Sequence, residues 1–380
     1  MVLFLHNRYR TTGGEERTVE NLLWLVREHL GEPAELLERD SAGLGRARAA
    51  LGLMRGGLDP GEVAAALRLS RARVLHAHNL QPAFGWRALA AARAAGVRVV
   101  VHLHQYRLVC AVGVCFTHGS ECTRCHARNT LPGVRLNCRD SAPEAIAYGA
   151  SLALWQRRLV EQADAVIVPS RFARERLRAL GAPLRWERVH VLAPPLRAPA
   201  PPAPDTDVPA GPYALVVARL SAEKGVDVAI DACRMAGMAL VVAGEGPARE
   251  ALAQRAAGAD VRFVGRVGEE ELAGLRAGAA IALAPSRSAE TFGLAAAEAM
   301  AAGLPVAGSR VGALPELVEE AGLAPAGNAG ALARALSRLA GDRAAGERGR
   351  ERVRALCGPE AVARRLAAIY DGRERGAPSA

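Results

Sequence analysis

The chain has 380 residues, of which 50% are hydrophobic and 23% charged, and its formal net charge at pH 7 is +10. This length exceeds what one hydrophobic core usually organises, so we expect two domains. Aromatic residues make up only 4% of the chain, which disfavours a base-stacking surface for nucleic acid. No apolar run is long enough to span a bilayer.

The first residues, MVLFLHNRYR, lack a basic segment ahead of their short apolar run. They predict a buried strand rather than a signal peptide. We therefore expect a cytoplasmic protein. Its arginine-rich surface is compatible with peripheral binding at the inner face of an anionic membrane.

The first half of the chain alternates short apolar runs with segments of helical periodicity, such as Thr18–Leu30 and Pro82–Ala95. Strands are predicted over residues 2–6, 74–79, 97–104, 165–170 and 188–193. Alternation of this kind predicts a parallel α/β sheet covered by helices on both faces. Residues 1–195 are therefore interpreted as an N-terminal, acceptor-side Rossmann-like domain.

A proline-rich linker is predicted over residues 196–212, because proline stiffens the chain and cannot donate to a strand ladder. The alternation then restarts, with strands predicted over residues 213–220, 238–246, 261–267, 279–286 and 304–309. Residues 213–357 would form a second Rossmann-like domain, and residues 358–380 a terminal helix and frayed tail. Two doubly wound domains in tandem predict ligand binding at the carboxyl ends of the strands, in a cleft between the domains.

A basic motif, Arg219-Leu-Ser-Ala-Glu-Lys224-Gly225, follows the first predicted strand of the second domain and opens a helix. Lys224 is the only lysine in the sequence. A helix N-terminus offers free backbone N–H groups to an anion, and arginine and lysine approach a phosphate in different geometries. This motif predicts a diphosphate site.

Two further motifs follow later strands of the same domain. Gly244-Glu-Gly246-Pro is a second tight turn between a strand and a helix, where glycine lets a backbone approach a ligand closely. The third motif runs from Ser286 through Glu290 and Gly293 to Glu298. Its two carboxylates are candidates to accept sugar and ribose hydroxyls at the edge of the sheet.

The first domain offers a glycine pair and strand-end histidines. Gly13 and Gly14, after Thr11-Thr12, lie between the first strand and the first helix, where backbone donors could meet a phosphate. His102 and His104 share one face of a predicted strand, as do His76 and His78 of another. We single out His104 as a ligand-binding residue, and the other three as either ligand-binding or buried hydrogen-bonding groups.

Taken in order, these motifs resemble those of family-four glycosyltransferases of the GT-B fold, and the resemblance covers nearly the whole chain. The family pattern has a glycine pair, a strand-end His, R-L-x-x-x-K-G, G-x-G-P, and E-x-F-G-x-x-x-x-E followed by A-x-G-x-P-V. Two departures are Ala218, where glycine is common, and Gly312-Ala313 in place of a double glycine. The resemblance implies these donor-binding residues: Gly13, Gly14, Arg219, Lys224, Gly244, Gly246, Glu290, Phe292, Gly293, Leu294 and Glu298.

The resemblance also implies a role for each group. Arg219 and Lys224 would hold the donor diphosphate with the Gly14 backbone. Glu298 would bind the ribose, and Glu290 with the 292–294 backbone would bind the donor sugar. The last helix would return to the first domain.

His104 would contact the transferred sugar, so the implied catalytic set is His104, Glu290, Arg219 and Lys224. Family members retain the anomeric configuration and need no catalytic metal. We therefore expect a hexosyltransferase-like enzyme that uses a nucleotide-diphosphate sugar, by front-face attack of an acceptor hydroxyl. The acceptor would belong to cell-surface polysaccharide or glycoconjugate synthesis, for example a lipid-linked sugar. The alternatives are a nucleotide-sugar epimerase of the same fold, a non-catalytic sugar-binding subunit, or a nucleic-acid-binding protein.

Five of the seven cysteines are clustered after His104, in a predicted insertion at about residues 105–140. Cys122-Thr-Arg-Cys125 has the spacing of metal ligands, and disulfides are not expected in a cytoplasmic protein. Some relatives of the family carry such a cluster. Our preferred ligands for a structural zinc are Cys110, Cys122, Cys125 and Cys138, with Cys115, His118 and His126 as competitors; unligated thiols are the alternative.

Overall fold

The computed structural model describes residues 1–9, 13–203, 209, 211–374 and 376. The chain forms two compact units. The first contains Met1–Thr117, Cys122–Pro195 and Pro359–Ala380, and the second contains His118–Glu121 and Leu196–Gly358. Thr11 and Thr12, part of the predicted linker (residues 204–208 and 210) and most of the predicted frayed tail lie outside the described residues.

The elements before residue 196 alternate as the sequence predicts. They are, in chain order, β1 (Val2–Arg8), α1 (Gly14–His29), β2 (Ala34–Asp40), α2 (Arg46–Arg55), α3 (Pro60–Ser70), β3 (Val74–Ala77), α4 (Gly85–Ala94), β4 (Arg98–His102), β5 (Phe116–Thr117), β6 (Ser120–Glu121), α5 (Leu131–Arg135), α6 (Ala142–Glu161), β7 (Ala165–Val168), α7 (Arg171–Ala179) and β8 (Val189–Val191).

The first unit is built on a six-stranded parallel sheet with the order β2-β1-β3-β4-β7-β8. The residues of β3 and β7 are buried throughout, because helices cover both faces of the sheet. The chain reverses its direction of winding between β1 and β3. In sheets of this kind, ligands bind outside the carboxyl ends of the strands at such a switch point.

The strand β2 was not predicted from the sequence. Its residues, AELLERD, are largely charged and partly exposed, since β2 pairs on one side only, with β1. Charged residues are typical of edge strands, which they protect from pairing with other chains.

The elements after residue 212 repeat the alternation. They are β9 (Tyr213–Val217), α8 (Val226–Ala236), β10 (Ala239–Ala243), α9 (Arg249–Arg255), β11 (Val261–Gly265), α10 (Glu269–Gly278), β12 (Ile281–Ala284), α11 (Leu294–Ala301), β13 (Val306–Ser309), α12 (Leu314–Leu317), β14 (Leu323–Ala324), α13 (Ala329–Leu339), α14 (Arg343–Cys357) and α15 (Pro359–Tyr370).

The second unit is also a six-stranded parallel sheet, with the order β11-β10-β9-β12-β13-β14. Its switch point lies between β9 and β12, which pair directly. The turns that follow these two strands carry the basic motif and the motif around Glu290, so the topology alone brings both motifs to one place.

The helix α15 belongs to the first unit, although the second unit precedes it in the chain. Its apolar residues recur at helical spacing, which gives the helix one buried stripe. Leu366, Ile369 and Tyr370 are fully buried in a cluster that includes Val2 and Phe4 of β1. Among the described residues, no helix combines the length and hydropathy needed to cross a membrane.

Candidate functional site

The turns after β9 and β12 touch at the switch point of the second unit. Gly225 has a φ of +63°, and a Cβ there would lie 2.1 Å from the backbone oxygen of Pro285. The backbone N–H of Arg287 donates to the carbonyl of Glu223 at 2.8 Å. Only glycine allows this approach, which fixes the spacing between the two motifs.

Lys224 and Glu290 meet in this contact. The Lys224 Nζ donates to Glu290 Oε1 at 2.7 Å, and the Ser286 Oγ donates to the same oxygen at 2.6 Å. Burial alone would raise the pKa of Glu290, but these two donors outweigh it and the pKa lies below its usual value. Glu290 is therefore a carboxylate anion at neutral pH.

Arg219 forms the second ion pair of the turn, with Glu223. Ser221 Oγ donates to the same carboxylate at 2.6 Å. Burial opposes ionisation of Glu223, but Ser221 and Arg219 lower its pKa overall. Glu223 was not predicted as a site residue, because a glutamate between an arginine and a lysine is also typical of a solvated turn.

The turn at Gly244 and Gly246 lies beside the basic motif. Gly244 has a φ of +140°, and a Cβ there would lie 1.9 Å from the carbonyl oxygen of Ala218. The Leu220 N–H donates to the Glu245 carbonyl at 2.9 Å. The two turns are thus held together by backbone contacts that leave no room for larger residues at Gly244.

Glu298 lies on α11, where Gly293 caps the helix and Leu294 begins it. Phe292, one of the predicted donor contacts, has a side chain that is 7% exposed and packs inside the unit. Glu298 Oε2 accepts a hydrogen bond from Arg276 Nη2 at 2.6 Å. Arg276, near the end of α10, was missed from the sequence, because a single arginine on a helix gives no signal of its role.

In the first unit, Gly13 precedes α1 and Gly14 begins it. The Gly13 N–H donates to Glu16 Oε2 at 2.7 Å, so this amide is already bound within the helix cap. Gly14 is exposed at the N-terminus of a 16-residue helix, where the helix dipole favours an anion.

His104 lies two residues beyond β4 and stacks within a group of strand-end histidines. Its Nε2 is 2.8 Å from Nδ1 of His78, so one ring donates to the other and the pair holds each other's tautomer. Burial, and then the charge of His6, lower the pKa of His104 to about 3. The imidazole is therefore neutral near pH 7.

His76 and His102 extend the group. The His76 Nδ1 lies 2.7 Å from the Tyr370 hydroxyl of α15, and its Nε2 lies 3.3 Å from Nδ1 of His102. Burial lowers the pKa of His76 to about 3 and that of His102 well below its usual value. The sequence predicted that His76 shares a strand face with His78, and His102 with His104, and these rings do lie side by side. It could not show the partners on other elements.

The ligand atoms of His76, His78 and His102 all lie within 4.8 Å of one another. This distance alone would suit a metal ion. However, each of the three rings already has a hydrogen-bonding partner, either a neighbouring imidazole or the Tyr370 hydroxyl. We therefore describe the group as a hydrogen-bonded stack.

A cavity in the first unit adjoins His104 and contains groups that the sequence analysis did not select, including Glu15, Tyr9, Gln105 and Arg107. Tyr9 OH donates to Glu15 Oε2 at 2.8 Å, and Gln105 Nε2 donates to the same oxygen at 3.2 Å. Burial raises the pKa of Glu15. The sequence signal for Glu15 is the acidic pair Glu15-Glu16 directly after the glycine pair.

Five free thiols line a small cavity elsewhere in the first unit: Cys110, Cys115, Cys122, Cys125 and Cys138. The Cys115 thiol and the nearby backbone N–H groups donate to the Cys110 sulfur and lower the pKa of Cys110 to about 6. The predicted competitors His118 and His126 do not line this cavity.

Comparison with known proteins identifies two family models along the chain. The model of the glycosyl transferase 4-like domain matches residues 9–195, and that of glycosyl transferases group 1 matches residues 211–342. Together they cover both units.

Curated relatives match short segments. The GDP-mannose-dependent alpha-(1-6)-phosphatidylinositol dimannoside mannosyltransferase of Mycobacterium tuberculosis is 46% identical over 106 residues, which are 26% of this chain and 28% of that protein. The amylovoran biosynthesis glycosyltransferase AmsK of Erwinia amylovora is 39% identical over 142 residues, 33% of this chain and 35% of that protein. The matched segments thus span about a third or less of these relatives.

Solved structures match the whole fold. Sucrose-phosphate synthase from Thermosynechococcus elongatus covers 98% of both chains with a TM-score of 0.72 and 21% identity. HepE from Anabaena, in complex with UDP and glucose, covers 98% of this chain and 99% of its own with a TM-score of 0.63 and 18% identity. These likenesses confirm the predicted GT-B fold, with its two parallel-sheet α/β units.

Proposed function

We propose that this chain, which belongs to the family-four glycosyltransferases of the GT-B fold, transfers a sugar from a nucleotide-diphosphate sugar to an acceptor hydroxyl with retention of configuration. The observation that carries the proposal is the contact between Lys224 and Glu290 at the switch point of the second sheet. In this contact, a cation suited to a phosphate lies beside an anion suited to sugar hydroxyls. Among similar structures, HepE was solved with UDP and glucose.

The first step of the proposed reaction is binding of the diphosphate. Lys224 and Arg219 are both partly exposed, and each is paired with a carboxylate. A diphosphate offers the same acceptor chemistry with more negative charge, so it competes with Glu290 for Lys224 and with Glu223 for Arg219. Glu290 would retain the Ser286 hydrogen bond and become free to accept hydroxyl groups of the donor sugar.

The second step is the stabilisation of charge during transfer. As the bond from the anomeric carbon to the diphosphate breaks, negative charge grows on the phosphate and positive charge on the sugar ring. Lys224 and Arg219 would stabilise the former. Because its pKa is lowered, Glu290 is no general acid at neutral pH. We assign it the positioning of the sugar and electrostatic stabilisation of the ring.

Retention would follow from attack on the face that the diphosphate leaves. The acceptor hydroxyl forms the new bond to the anomeric carbon and passes its proton to the departing phosphate oxygen. His104 would act as a neutral hydrogen-bonding group toward the transferred sugar, since its pKa is about 3. No covalent enzyme intermediate and no catalytic metal are needed in this scheme.

The acceptor is proposed to be a carbohydrate of cell-surface polysaccharide or glycoconjugate synthesis, presented on a lipid at the inner face of the membrane. The cavity beside His104 has a largely apolar lining that includes hydroxyl, amide, carboxyl and guanidinium groups. These polar groups suit the hydroxyls of a sugar. The named relatives act on a phosphatidylinositol dimannoside and in amylovoran biosynthesis. The net charge of +10 favours an anionic surface.

A donor screen tests the central proposal. The protein is heated with UDP-, GDP- and ADP-sugars in parallel, and the preferred donor at 100 times its Kd should add about 2.7 kcal/mol to the unfolding free energy. Lys224→Ala should lose this stabilisation, whereas Arg350→Ala, which removes an exposed cation from the same unit, should keep it. Equal stabilisation of all three proteins would contradict the diphosphate assignment.

Product analysis tests the reaction itself. With donor and a lipid-linked acceptor, NMR should show nucleotide diphosphate released and a new linkage with the donor's anomeric configuration. Conversion of the donor sugar without release of nucleotide would instead identify an epimerase. Donor binding without either product, across an acceptor panel, would favour a non-catalytic subunit.

Flotation with vesicles tests the membrane proposal. The protein should float with vesicles that contain phosphatidylglycerol and remain behind with pure phosphatidylcholine, and added salt should weaken the binding. Equal flotation with both vesicles would argue against an electrostatic membrane surface.

A further inference from the structure

The cysteine-rich segment, residues 105–140, has little regular structure to hold it. It contains two strands of two residues each, β5 and β6, and the five-residue helix α5. A loop of this length inside a compact unit usually needs another source of stability. The described cysteines are all free thiols, so no disulfide supplies it.

The backbone of the segment is also constrained. Seven described non-glycine residues have positive φ angles, and five of them fall here: Cys115, His118, Ala127, Asn137 and Asp140. Such conformations cost about 1–3 kcal/mol each and persist where surrounding interactions determine them. The turns they make bring cysteines that lie up to 28 positions apart in the sequence around one cavity.

From this geometry we propose that Cys110, Cys122, Cys125 and Cys138 bind one Zn²⁺, which holds the segment together as a structural site. Four thiolates in tetrahedral arrangement are a common ligand set for structural zinc, and Cys122 and Cys125 have the usual spacing of a ligand pair. Each thiol loses its proton on binding. The proposal does not depend on the sugar-transfer reaction.

The ligand set follows from position and spacing. Cys110, Cys122, Cys125 and Cys138 line the same cavity, and Cys122 and Cys125 have the spacing of a ligand pair. Cys115, the fifth thiol of this cavity, is hydrogen-bonded to Cys110. The Cys115→Ser variant below separates it from the four ligands.

The histidines of the segment are excluded by position. A Cβ at Gly181 would lie 2.6 Å from the His126 ring, so this imidazole packs against the residues after α7. His118 is grouped with the second unit. Neither lines the thiol cavity.

Metal analysis of the full chain, purified with a reductant and without chelator, tests the proposal. Mass spectrometry should find about one zinc per chain. Cys122→Ser and Cys138→Ser should lose it, while Cys115→Ser should retain it. Cys233→Ser, which alters a buried thiol of the second unit, is the matched control and should also retain it.

A second measurement avoids reliance on variants that fail to fold. The wild-type protein loaded with Co²⁺ should show the intense visible bands of a tetrahedral thiolate site, and Zn²⁺ should abolish them. A protein without zinc or iron, whose thiols all react freely with a thiol reagent, would overturn the proposal. Loss of zinc from Cys115→Ser equal to that from Cys122→Ser would overturn the ligand set, and stoichiometric iron would overturn the identity of the metal.

Discussion

The carboxyl ends of the strands in the two sheets carry groups of opposite electrostatic character. In the second unit, Lys224 and Arg219 are charged and each is paired with a carboxylate. In the first unit, His76 and His104 are neutral and bind neighbouring rings or a hydroxyl. A ligand in the second unit must compete with an ion pair, whereas a ligand in the first unit must match fixed hydrogen-bonding groups. The difference suits a charged diphosphate in one case and uncharged sugar hydroxyls in the other.

The largest expected effect comes from removing the charge of Lys224. Lys224→Ala should lower turnover about 10²–10³-fold, or about 3–4 kcal/mol of transition-state stabilisation, as for other groups that stabilise developing charge. Steady-state kinetics with the preferred donor would measure it. Lys224→Arg should recover part of the loss, since arginine restores the charge but not its point geometry. Unchanged turnover in Lys224→Ala would show that the charged groups of the second unit have no special role beside the neutral histidines of the first.

The second-largest effect is expected from acid, which protonates the neutral histidines and lowers the unfolding free energy. His76 has a pKa of about 3 in the folded protein, against an ordinary value of 6.5, so the unfolded chain binds its proton first as the pH falls. The unfolding free energy should therefore decline from about pH 6.5 toward pH 3, by about 2 kcal/mol at pH 5 from His76 alone. Urea titrations at a series of pH values would measure the slope. His76→Asn should flatten it, and an unchanged slope would show that another group is responsible.

Tyr370→Phe should have a smaller effect. The substitution leaves His76 Nδ1 buried without its 2.7 Å partner, which typically costs about 1–3 kcal/mol. Urea denaturation of the variant beside the wild type would measure the loss. Tyr213→Phe, which removes a buried hydroxyl that donates to the Leu275 carbonyl in the second unit, should show a comparable loss and calibrates the cost of one buried hydroxyl. If Tyr370→Phe were neutral, the hydrogen-bonded stack would not stabilise the first unit.

The smallest effect is expected at Arg350, whose pair with Glu347 is about half exposed on both sides. Solvent screening limits such pairs to about 0–1 kcal/mol. Arg350→Ala should leave both the unfolding free energy and the turnover near their original values. A large loss of unfolding free energy or of turnover would show that this exposed ion pair contributes more than solvent screening allows.

Features that depend on local residue patterns and on the order of motifs could be predicted from the sequence. Apolar runs identified β1, β3 and β9, and the order of motifs identified the family and the fold. The edge strand β2 has no such apolar run, because four of its seven residues are charged. Local patterns carry the signal for a buried strand, but an exposed strand resembles a helix or a loop.

Partners distant in the sequence could not be predicted. Lys224 and Glu290 were each selected, yet their direct contact became visible only once β9 and β12 were known to be neighbours. Arg276 and Glu15 became candidate site residues only through their contacts, with Glu298 and Tyr9 respectively. The proposed roles of these groups and of the cysteines stay predictions until the experiments above are done.

The position of α15 has a consequence for biosynthesis. A ribosome delivers the strands of the first unit early, but Leu366 and Tyr370 complete that unit's core only after the whole second unit has been translated. Nascent chains stalled near residue 358 should therefore expose the apolar surface that α15 covers and recruit chaperones. The second unit, which consists of the continuous segment Leu196–Gly358 and the four earlier residues His118–Glu121, should mature before the first.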